Sequence, residues 1–92
     1  MAEAVALQTS KTAAAVGLSD RGLVRAGLRA DINVIDHAGL TLYGPEVAYD
    51  LPAGGRRLLQ RAEGYCHSFV AGVETYRGGE ATGALPGRLI RA

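Results

Sequence analysis

Apolar and polar positions in this chain change rhythm at Gly17. Ala2–Val16 is rich in Ala and free of Gly and Pro, which favours helix. Thr9 and Ser10 interrupt the run, so the pattern predicts two short helices or one kinked helix, roughly Glu3–Leu7 and Lys11–Val16. A Thr at that break can cap the second turn by accepting backbone N–H groups. Val5, Leu7 and Val16 form a weak apolar stripe, and helices this short need a partner surface. Gly17 suits the left-handed position after the last turn, with Leu18 folding back on it.

From Asp20 to Asp36 the helical period is lost. Arg21, Arg25 and Arg29 are four apart, as on one helix face, but Gly22 and Gly27 fall between them, each unfavourable in a helix by about 1 kcal/mol. The better reading is a short strand Leu23–Val24, a turn at Ala26–Gly27 and a longer strand Ile32–Ile35. That strand places Ile32 and Val34 on one side and Asn33 and Ile35 on the other, so both faces are expected to be partly covered.

Residues 37–64 carry Pro45, Pro52 and Gly54–Gly55, which exclude a long element. Arg56, Arg57 and Arg61 surround Leu58 and Leu59 in a short helical turn or an irregular strand. Tyr65–Val70 and Val73–Arg77 are strand-like runs separated by Ala71–Gly72, the signature of a two-residue hairpin. Gly78–Gly79 marks a turn. Pro86–Gly87 suits the middle of a type II turn before a strand-like Arg88–Ile90. The fold class expected is mainly β with a short N-terminal helical segment, in one domain: a helical lead-in over 1–16 and a β-domain over 17–92.

Composition narrows the setting. The chain has 92 residues, 13 Gly, one Phe and no Trp, so its core must be thin. A net charge of +1 gives no steering toward nucleic acid or an anionic membrane. Nine of the ten basic residues are Arg. Cys66 is alone, so no internal disulfide can form, and a reducing, cytoplasmic compartment is expected. No apolar run is long enough to span a bilayer, and the N-terminus lacks signal-peptide character.

Several side chains could carry chemistry. Cys66–His67 sets a thiol next to an imidazole, but neighbours on a strand point to opposite faces, which separates them. His37 and His67 with Asp36 or Asp50 would make a metal site only by meeting in space, since zinc needs three or four converging ligands. Arg56, Arg57 and Arg61 are either an anion contact or surface partners of Asp50 and Glu63. Asp20–Arg21 reads as turn capping and surface pairing. Gly78–Gly79 lacks the strand–loop–helix setting of a phosphate loop. No catalytic, cofactor-binding or metal-binding residue is assigned.

The stretch Gly17–Asp36, G-L-S-D-R-G-L-V-R-A-G-L-R-A-D-I-N-V-I-D, closely resembles the segment by which amidohydrolases leave their catalytic barrel and enter a flanking β-domain. D-L-P-A-G-G-R-R-L (Asp50–Leu58), Q-R-A-E-G-Y (Gln60–Tyr65), the hairpin and T-G-A-L-P-G-R-L-I-R (Thr82–Arg91) resemble the C-terminal end of the N-acyl-D-amino-acid deacylase branch. The resemblance implies a parent enzyme performing metal-assisted amide hydrolysis with zinc or a similar divalent ion in a (β/α)₈ barrel. A β-sandwich built from both chain ends flanks that barrel. Residues 1–16 would then end the barrel region, and 17–92 would be a partial β-sandwich. The family's metal-binding motifs lie upstream, and no position here matches them. The family usually has Asn–Gly where this chain has Ala71–Gly72, and often Pro where Ala26 stands. The resemblance implies a structural fragment that braces a barrel and has no complete active site of its own. The alternatives are a free-standing β module for protein–protein or self association, and an enzyme acting through Cys66 or a site shared between copies.

Overall fold

The structure, a computed structural model, describes residues 1–91. It is mainly β, with a short helical lead-in. Helices α1 (Ala2–Gln8) and α2 (Ser10–Ala15) meet at Thr9. The hydroxyl of Thr9 does not cap α2 as expected. It donates back to the Val5 carbonyl at 2.6 Å, the backward bonding that a Thr after a helical turn readily makes. The Thr9 carbonyl receives the Ala13 amide at 2.9 Å. Beyond α2, Gly17 takes φ +79°. The amides of Leu18 and Gly17 bond to the carbonyls of Ala13 and Ala14 at 2.9 and 3.2 Å, closing the helix as the position of Gly17 predicts.

Leu23–Val24 forms no strand, contrary to expectation. The loop closes on itself: the Arg29 amide bonds to the Asp20 carbonyl at 2.7 Å, and the Leu28 amide to the Arg25 carbonyl at 3.2 Å across the Ala26–Gly27 turn. These bonds tie the segment to itself, and Leu23–Val24 joins no ladder.

Strands β1 (Ile32–Ile35), β6 (Tyr65–Val70), β7 (Val73–Arg77) and β8 (Glu80–Ala81) form an antiparallel sheet in the order β1-β6-β7-β8. The β6–β7 hairpin turns through Ala71 (φ +51°) and Gly72 (φ +79°), with Val70 paired to Val73. Two positive φ values in succession are those of a type I′ turn, whose twist matches that of the strands. Two irregularities break the alternation. Ser68 pairs with Tyr76 while Phe69 pairs with Glu74, leaving Thr75 as an extra residue. Val34 pairs with His67 while Ile35 pairs with Tyr65, leaving Cys66 as another.

Residues 37–64 supply two small ladders, β2 (Thr41–Leu42) with β5 (Ala62–Glu63) and β3 (Glu46–Ala48) with β4 (Arg57–Leu59). The Leu58–Leu59 pair is therefore on a strand, and the connection before it turns tightly at Pro52–Gly55, with Ala53 (φ +58°) and Gly54 (φ +71°) both left-handed. Neither the expected type II turn at Pro86–Gly87 nor the strand Arg88–Ile90 forms: Gly87 is not at positive φ, and residues 84–91 have no regular structure. The last backbone tie of this segment to the sheet is the Thr82 amide on the Thr75 carbonyl at 2.9 Å.

The core is thin. Among the described residues only Ala13 and Thr75 are buried, and no side chain is fully enclosed. Asn33, Val34 and Ile35 are exposed, so β1 is less covered than its apolar pattern suggests. The accessible surface is 7332 Å², whereas a compact chain of 9.6 kDa would show roughly 5,100 Å². The radius of gyration, 15.5 Å, compares with about 12 Å for a compact domain of this length.

Candidate functional site

The extra residue at Thr75 decides which side chains meet. On an unbroken strand, residues three apart point to opposite faces. The bulge reverses the alternation, so Glu74 and Arg77 come to one face together with His67 of the neighbouring strand. Glu74 Oε1 lies 2.5 Å from His67 Nδ1. Arg77 donates to Glu74 through Nε at 3.2 Å and Nη2 at 2.6 Å. Paired first by Arg77 and then by His67, the Glu74 carboxyl is lowered from 4.5 to about 2. At neutral pH it is a fixed anion and holds the imidazole with Nδ1 as donor, leaving Nε2 without a hydrogen-bond partner among the described residues. The His67 ring stacks on Phe69 with centroids 6.2 Å apart.

An imidazole oriented by a carboxylate can serve as a base or a metal ligand, but each needs a companion. Cys66 supplies none to it: it is the extra residue of the other bulge, is exposed, and its thiol faces the Gly64 carbonyl at 4.0 Å. Among the described residues, no three of His, Cys, Asp and Glu gather as a group that could hold a metal ion. Of the residues considered together from sequence, Asp50 is taken by Arg57, the Asp36 carboxylate accepts the Gly39 amide at 3.3 Å, and His67 is held by Glu74. These donors do not fit a divalent metal, and no chemical step is routed through one.

The arginine group resolves into separate contacts. Arg57 clasps Asp50 through Nε at 2.7 Å and Nη2 at 2.5 Å, closing the loop between β3 and β4. That gives the Asp50–Leu58 phrase a physical meaning. Arg57 holds the Asp50 carboxyl below the usual carboxylate range. Arg61 approaches Glu46 at 3.9 Å rather than Glu63. The Glu63 carboxylate instead acts on Tyr43, where with burial it raises the phenol. Asp20 and Arg21 pair at 2.9 Å, as their adjacency suggests.

Asp31 is a residue that sequence reasoning missed. Its Oδ1 accepts the Ala71 amide at 2.9 Å and the Arg29 Nε at 2.9 Å, with Arg21 Nη1 3.7 Å from Oδ2. Burial pushes its carboxyl up, but the Ala71 amide, Arg29 and Arg21 outweigh that and lower it. The neighbouring Ala30 carbonyl takes the Gly72 amide at 2.9 Å. The Ala–Asp step before β1 thus grips both residues of the distant hairpin turn.

A shallow cleft of about 470 Å³ opens between β5 and the β7–β8 turn, lined among others by Tyr43, Gln60, Arg61, Glu63, Tyr65 and Tyr76. No helix of the described residues is long and apolar enough to cross a membrane.

Compared with known proteins, residues 1–82 match the model of the amidohydrolase family. No curated protein and no solved structure matches the chain.

Proposed function

The chain belongs to the amidohydrolase family, and from that premise we propose that it serves as the C-terminal share of a β-domain bracing the catalytic barrel of a metal-dependent, N-acyl-D-amino-acid deacylase-like enzyme. In this reading the metal and the chemistry belong to the barrel, in the cytoplasm, and this chain contributes support. The observation that carries it is the uncovered surface: 7332 Å² is exposed, roughly 2,200 Å² above a compact chain of its mass, with Leu23, Val47, Leu58 and Tyr76 each half exposed or more. The deacylase branch rests on the Asp50–Leu58, Gln60–Tyr65 and Thr82–Arg91 phrases.

Assayed alone on N-acyl-D-amino acids, with and without added zinc, the chain should give no turnover. It should co-purify with an amidohydrolase barrel that lacks its own C-terminal β-region. Metal-dependent hydrolysis that survives purification of the chain alone would overturn this reading. The same exposed surface favours a second one, a free-standing module that associates with itself.

A further inference from the structure

The open edge of β1 and the loose tail complement one another. β1 ends the four-stranded sheet, so one of its edges has no neighbouring strand. That edge forms a wall of an apolar groove of about 450 Å³, closed on other sides by Val5 and Ala6 of α1 and by Leu23 and Val24 of the following loop. An apolar edge without Lys or Pro is a template for another strand. β1 lies between Asp31 and Asp36. Asp31 is already held by Arg29 and Arg21, while Asp36 pairs with no cation among the described residues.

The tail has the opposite pattern: Arg88, Leu89, Ile90, Arg91. Leu89 is 79% exposed and Ile90 50%, and neither arginine makes an ion pair among the described residues. We propose that the Arg88–Arg91 segment of a second copy enters the groove as an added strand on β1, and that two copies exchange tails reciprocally to form a dimer. This goes beyond the barrel-bracing reading and does not rest on it.

Three considerations select this occupant. In either strand direction, an arginine of the tail comes beside Asp36. Pairing β1 with β1 of another copy in antiparallel fashion would instead set Asp31 opposite Asp36, and like charges directly opposite are unfavourable. The chain's own tail falls short. It leaves from β8, whose end is tied to β7 by Thr82 Oγ1 on the Glu74 carbonyl at 2.7 Å, at the far edge of the sheet. The outer side of β1 is four strand spacings away, about 19 Å in a straight line. The six steps from Thr82 to Arg88 reach about 21 Å when fully extended, too little to rise over the intervening side chains and descend beyond β1. Lastly, the roughly 2,200 Å² of excess surface exceeds the ~800 Å² per partner of a standard stable interface, and reciprocal exchange is a low-cost route to a dimer.

Light scattering on the purified chain at tens of micromolar decides it, with circular dichroism to verify folding. The parent should run at twice the 9.6 kDa of one chain. Leu89→Asp/Ile90→Asp in the tail and Val24→Asp on the groove wall should each give a monomer with an unchanged spectrum. Val24 is 85% exposed in a loop, so its substitution does not threaten the fold. A monomeric parent, an assembly larger than two, or a dimer that survives either variant overturns the proposal.

Discussion

Asp31 accepts the backbone N–H of Ala71, forty residues further along the chain, at 2.9 Å. With the Ala30 carbonyl on the Gly72 amide, it fastens the entry to β1 onto the turn of the β6–β7 hairpin. Asp31→Ala should therefore destabilise the fold by about 1 kcal/mol, less than the roughly 1.5–3 kcal/mol of a hydrogen bond to a buried charged group because the carboxylate is partly open to water. Asp31→Asn, which keeps an acceptor, should lose less. Urea melts compare them, and an unchanged midpoint for Asp31→Ala would show that the contact carries no stability.

The turn itself can be improved. Ala71 sits at φ +51°, where its Cβ crowds the following carbonyl at a cost of roughly 1 kcal/mol. Asn tolerates this region better. Ala71→Asn should raise stability by up to about 1 kcal/mol, with the Asp31 contact intact because it uses the backbone. Gly72→Val should be clearly destabilising, although the nearest atom to a Cβ there is Ala30 Cβ at 4.0 Å: the obstacle is the backbone angle, not space. An earlier urea midpoint for Ala71→Asn than for the parent would contradict the type I′ assignment.

Acid should weaken the hairpin through Glu74. Its carboxyl falls from 4.5 to about 2 on folding, so its stabilisation is fully present above pH 4.5 and drains away as pH falls toward 2. Asp20, Asp31 and Asp50 are lowered as well and act in the same direction. Comparison with Glu74→Gln isolates the one group. The parent should lose more stability than the variant between these pH values, and parallel pH profiles would count against the His67–Glu74–Arg77 contact.

Gly64 tests the small β2–β5 ladder. A Cβ there would stand 2.8 Å from Leu40 Cα and 2.9 Å from Leu40 N, backbone atoms that cannot step aside alone. Gly64→Ala should cost about 1–3 kcal/mol and disturb the Asp36 amide, which bonds the Gly64 carbonyl at 2.8 Å. Amide exchange at Asp36 no faster than in the parent would refute this.

What the sequence made legible was local. The Gly17 helix stop, the Ala71–Gly72 turn and the strands Ile32–Ile35, Tyr65–Val70 and Val73–Arg77 each depend on residues a few positions apart. The Leu23–Val24 strand failed because strand propensity counts only beside a partner, and the loop bonded to itself instead. β2, β3 and β5 are too short to carry a pattern, and each exists through a ladder with a distant segment. The His67–Glu74–Arg77 cluster was hidden for a different reason. Counting by twos sends Glu74 and Arg77 to opposite faces, and nothing in the residue types announces the extra residue at Thr75. The Asp31–Ala71 bond joins segments with no local signal for each other. The tail read as a strand because its residues suit one, yet here no edge receives it.

The thin core has a thermal consequence. Unfolding raises the heat capacity in proportion to the apolar surface newly brought into water, and this chain keeps little hidden. Its stability curve should accordingly be shallow, and its thermal transition broad, with a small enthalpy spread over many degrees. Covering the groove and the apolar faces would restore the curvature. A lone copy would soften gradually with heat, and a sharp melt would itself report that a second surface has covered these faces.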